Sequence, residues 1–92
     1  MDTPLTDGLK ITITCIAEGY SFSEIDLVWE GLGITQKSQW VTESRTTQKG
    51  STVMRSLVFN PLLAGQAGIY TCHLVTKTNK LLMSTSTEIS GM

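Results

Sequence analysis

The sequence predicts an all-β sandwich: two antiparallel sheets of seven or eight strands with almost no helix. The run Leu9-Lys10-Ile11-Thr12-Ile13-Thr14-Cys15 has an apolar residue at every odd position, which is the period-2 pattern of a half-buried strand. The run Tyr70-Thr71-Cys72-His73-Leu74 repeats it, with Tyr70, Cys72 and Leu74 on one face. The only two cysteines of the chain therefore point at a core from strands far apart in sequence, the arrangement a disulfide between packed sheets requires. Trp29 closes a third apolar run, Leu27-Val28-Trp29, fourteen residues after Cys15.

Taken in order, the chain opens with Pro4 in a stretch suited to an edge strand over residues 2–7. Asp7-Gly8 is a turn signal, and the alternating strand follows over residues 9–17. Residues 18–23 form a loop in which Phe22 is expected to plug one end of the sandwich. The next strand covers residues 25–30 and is broken by Gly31-Leu32-Gly33, with a short strand expected over residues 34–37. Residues 40–46 are rich in β-branched side chains and predict another strand. A hairpin turn at residues 48–51 leads to a strand over residues 52–59, with Val53, Leu57 and Phe59 inward. Asn60-Pro61 stops it, and residues 63–68 read as a compact turn with a short helical twist. Lys77-Thr78-Asn79-Lys80 is the last tight turn. Nothing repeats internally.

A Cys, then a Trp, then Gly68-Ile69-Tyr70-Thr71-Cys72 resembles an immunoglobulin-superfamily domain of intermediate or constant-like type. The resemblance covers nearly the whole chain and implies a Greek-key sandwich. It gives Cys15 and Cys72 the disulfide between strands B and F, Trp29 the place against it on strand C, and Tyr70 the tyrosine corner. Leu62 takes the role of the apolar residue that caps the core before that corner. One departure stands out: the family usually has Asp two residues before the Gly, and here it is Gln66. The ion pair made by that Asp cannot form, a loss of about 0–1 kcal/mol for an exposed pair. The interval from Trp29 to Val53 is too short for the two extra strands of a variable domain, and the last hairpin lacks the Phe-Gly-x-Gly bulge.

Bulk properties agree. Ninety-two residues with 40% hydrophobic content suit one domain over residues 1–92. Seven basic and eight acidic residues are scattered, with net charge −1, so there is no basic stripe for nucleic acid or an anionic membrane. Apolar runs reach only three residues, too short for membrane insertion. Met1 ahead of Asp2-Thr3-Pro4 reads as a start placed on an excised fragment of a larger membrane protein. A paired Cys15 and Cys72 points to an oxidising, extracellular compartment; a reduced pair in a cytosolic relative is the alternative.

Catalysis and cofactors are not expected. His73 is the single histidine and lies outward on its strand, with too few companions for zinc. Gly31-x-Gly33 precedes no helix, so a phosphate loop is not supported. The remaining surface is the outer face of the C–F–G sheet. Alternation directs Val28 outward, with Ile69, His73 and Val75 outward on strand F, and pairs Val75 with Leu82 and His73 with Ser84. Val28, Ile69, Val75 and Leu82 would form an apolar patch around His73 for a protein partner or for a homodimer. Trp40 is a second anchor or a core residue at the sheet edge. The function expected is a non-catalytic recognition module of a cell-surface receptor, receptor kinases included, or of an adhesion ectodomain. A structural spacer in a tandem array is the alternative, and an antigen-receptor variable-type domain ranks third.

Overall fold

The computed structural model describes residues 10–35, 39–60, 62 and 64–89. They contain seven strands: β1 (Ile11–Glu18), β2 (Ile25–Glu30), β3 (Val41–Glu43), β4 (Thr47–Lys49), β5 (Thr52–Phe59), β6 (Gly68–Thr76) and β7 (Leu81–Ile89). One sheet runs β1–β5–β3 with β4 also on β5, and the other runs β2–β6–β7, all antiparallel. This is the predicted two-sheet sandwich. The strand expected over residues 2–7 lies outside the described residues.

Alternation decides which side chains enter the core. Val53, Leu57 and Phe59 from β5 are fully buried, and Ile25, Leu27 and Trp29 from β2 meet them from the other sheet. Burying each of the larger ones contributes about 1.5–3 kcal/mol. Phe59 and Tyr70 meet edge-to-face, their ring centroids 5.0 Å apart, which adds about 0.5–1.5 kcal/mol.

Four local expectations are corrected. Leu32–Thr35 is a single helical turn, α1, where the start of a short strand was expected; residues 36 and 37 lie outside the described residues. The strand expected over residues 40–46 is split into β3 and β4. Glu43 pairs with Leu57 and Thr47 with Met54, so three residues on this side oppose two on β5. That is a β-bulge, pinned where Ser44 N–H donates to Ser56 O and Ser56 N–H to Ser44 Oγ, both at 2.9 Å. The expected four-residue turn is a two-residue one at Gly50-Ser51, with Gly50 at φ 62°; glycine first is the pattern of a type II′ hairpin. Phe22 does not plug the core. It stays exposed, with Lys77 Nζ 3.7 Å above its ring.

The two lateral sides of the sandwich differ. Beside β2, Arg55 ties the sheets together: Nη1 donates to Leu27 O at 2.8 Å, and Nε to Ser44 O at 2.9 Å and to the Glu43 carboxylate at 3.1 Å. Thr46 Oγ1 donates to Asp26 Oδ1 at 2.7 Å on the same side. Between β1 and β7 lies instead an open apolar cleft of about 260 Å³. Met83, Thr85 and Thr87 of β7 sit opposite the inward residues Leu74, Cys72 and Tyr70, yet all three are exposed.

Candidate protein-contact face

The pins of the core fix the sheet that carries the face. Cys15 and Cys72 form a disulfide, their Cα atoms 6.3 Å apart and their positions 57 residues apart in sequence. Trp29 is the cross-strand partner of Cys72 and reaches across the sheets, its Nε1–H donating to Arg55 O at 3.1 Å. Leu62 is buried in the same core. Tyr70 is completely buried. Its hydroxyl donates to Gln66 O at 2.7 Å and accepts the Gly33 N–H at 2.9 Å, so one phenol ties together the corner before β6 and the turn after β2. Burial raises its pKa from the ordinary 10.0, and the hydrogen bond from Gly33 opposes that rise. Gln66 is itself buried and partnered.

Gly31 owes its place to this phenol. A Cβ there would overlap the Tyr70 ring, and the ring has no free space to yield. Gly31→Ala is therefore expected to destabilise the domain by roughly 1–3 kcal/mol or more through overpacking. Urea unfolding checks this; wild-type stability would mean the ring can be displaced at no cost.

The outer face of β2–β6–β7 is laid out in rows by the two ladders. Glu30, Thr71 and Ser86 form one row, Val28, His73 and Ser84 the next, and Asp26, Val75 and Leu81 the third. Hydrogen bonds link the first two. His73 Nδ1 lies 2.7 Å from Ser84 Oγ, His73 Nε2 lies 3.2 Å from Glu30 Oε1, and Thr71 Oγ1 lies 3.0 Å from Ser86 Oγ. His73 thus bridges β2 and β7 across β6.

The expected apolar patch is rearranged. Val75 pairs with Leu81, not Leu82, because the ladder shifts between Leu74 and Val75 and leaves Leu82 as the extra residue of a bulge. Val28 and Val75 are diagonal neighbours, roughly 7–8 Å apart in such a ladder. Leu81 and Leu82, both exposed, lie at the same end of this face, near the turn at Lys77-Thr78-Asn79-Lys80. Ile69 sits six residues from Val75, roughly 20 Å along the strand, and pairs with Glu88. Polar side chains occupy the centre between them. Trp40, 42% exposed, lies before β3 on the other sheet and takes no part in this face.

Serine, histidine and glutamate in a hydrogen-bonded chain are also the residue types of a hydrolytic triad. Here they lie on the face of a sheet whose backbone N–H groups are directed along the ladders, so none is aimed at a developing oxyanion above the face. The arrangement offers hydrogen bonds to a partner. Sequence reasoning overlooked Arg55. It shares the parity of Val53, Leu57 and Phe59, and a charge at an inward position is the signal that a partner awaits it.

The immunoglobulin domain family model matches residues 2–80. No curated protein and no solved structure matches the chain. Two antiparallel sheets pinned by Cys15–Cys72, with Trp29 against the bridge and Tyr70 at the corner, are what that match requires, and the chain belongs to the immunoglobulin domain family.

Proposed function

We propose that this domain is a non-catalytic extracellular recognition module from a cell-surface receptor, receptor kinases included, or from an adhesion ectodomain. It binds a protein partner through the outer face of β2–β6–β7. The observation that carries this reading is the row Val28–His73–Ser84, with Glu30 beside it. It sets a side chain that is 41% exposed next to aligned polar groups, all on one rigid sheet. Apolar contacts flanked by hydrogen-bonding groups are the make-up of a protein interface. The disulfide supports an oxidising compartment.

The test is to present the disulfide-bonded domain as a multivalent probe to an array of extracellular protein domains. Val28→Lys and His73→Ala should each weaken the partner's binding by roughly tenfold. Thr12→Lys, on the exposed outer side of β1, should leave it unchanged. A partner that responds to Thr12→Lys and ignores the other two would place recognition on the opposite sheet.

A further inference from the structure

Among the described residues β1 bonds only to β5, and β7 only to β6. The edge of β7 away from β6, unpaired among the described residues, borders the apolar cleft, which Leu27, Leu74 and the Cys15–Cys72 bridge line. Natural sheets blunt an edge of this length with lysine, proline or a bulge. Leu81–Ile89 contains no proline, lysine or arginine, and Glu88 is its single charge; its one irregularity lies at the Leu81 end.

We propose that β7 pairs antiparallel with β7 of a second copy of this chain, about a two-fold axis through Thr85. Two three-stranded sheets then become one continuous sheet. The sequence of the strand suits its own copy in this register over residues 83–87, short of the bulge at Leu82. Met83 meets the partner's Thr87, and Ser84 meets the partner's Ser86. Thr85 meets the partner's Thr85. Hydroxyl pairs of this kind are favourable across strands. The two Glu88 side chains end six residues apart, roughly 20 Å, beyond the screening length of about 8 Å. A like charge therefore opposes nothing. The axis stands perpendicular to the sheet, so both inner rows lie on the same side and Met83, 63% exposed, gains a neighbour over the cleft. The outer face of β2–β6–β7 stays free, and the pairing holds or fails independently of the function proposed above.

Edge pairing alone buries less than the roughly 1,000 Å² of a stable interface, so a weak reversible dimer is expected. Sedimentation of the disulfide-bonded protein up to about 1 mM, the weak end of specific affinity, should show concentration-dependent dimerisation. Thr85→Lys sets two ammonium groups against each other at the axis and should weaken it by roughly tenfold; Val28→Lys on the outer face should not. Thr85 is exposed, so the variant should fold. Should it not, hydrogen exchange on the wild type decides, since the β7 amides gain protection as concentration rises. A wild type that stays monomeric at about 1 mM, or a Thr85→Lys that sediments like it, overturns the proposal. So does protection of β7 that is equal at all concentrations.

Discussion

Replacing Cys15 and Cys72 together by alanine is expected to lower the stability of the domain by about 4 kcal/mol. The bridge closes a loop of 57 residues, and in the chain-entropy model the reduced denatured chain regains that loop's freedom. The loss is a large part of the roughly 5–15 kcal/mol that holds a domain of this kind together. For a chain of this length it lowers the melting temperature by roughly 15–30 °C. Both sulfurs are buried in the core that contains Trp29, so packing is lost as well, and a smaller effect is not anticipated. Urea unfolding of the double variant beside the wild type measures it. A difference below about 1 kcal/mol would mean that the denatured chain keeps the two strands together without the bond.

Tyr70→Phe is expected to cost roughly 2–4 kcal/mol. The substitution keeps the ring but strands two backbone groups, Gln66 O and the Gly33 N–H, and each buried group left without its partner costs about 1–3 kcal/mol. A corner bonded only to the Gln66 end would lose about half as much, so the size of the effect separates one tie from two. The same phenol gives the fold an alkaline limit. Its pKa is raised in the folded state, chiefly by burial, so the unfolded chain releases the proton first as pH climbs past 10.0. Above that pH the folded state binds more protons than the unfolded one, and stability falls as pH rises. The contribution is complete below the unfolded value and lost as pH passes through the folded one. Unfolding curves between about pH 8 and 11 should show this slope in the wild type, and a flatter one in Tyr70→Phe. Equal slopes would place the alkaline sensitivity elsewhere.

The strands of the core were legible in the residues because a strand's side chains alternate, and alternation is local. The strands at Ile25–Glu30 and Thr52–Phe59, and the inward sets of β1, β2, β5 and β6, need nothing beyond that period. The aromatic at position 70 two residues before a cysteine likewise announced its corner. What alternation reports is which residues share a side, not what covers that side. The bulge that splits β3 from β4 depends on how many residues β5 sets opposite, and the helical turn at Leu32–Thr35 on where Tyr70 arrives to take the Gly33 N–H. Arg55 reads as one more inward position until Glu43, Ser44 and Leu27 assemble around its guanidinium. The outer face shows the same division: the sequence directed Val28, Ile69, His73 and Val75 outward, but the ladder shift at Leu74/Val75 decided that Leu81 and not Leu82 stands opposite Val75. By itself the sequence determined which side chains share a face of each regular strand, since this follows from a two-residue period, while the sheet memberships were what the resemblance to the immunoglobulin superfamily implied. Only the tertiary structure decided that Met83, Thr85 and Thr87 face inward and remain exposed, because burial depends on a second layer lying over the strand, and no period within one strand encodes that layer's reach.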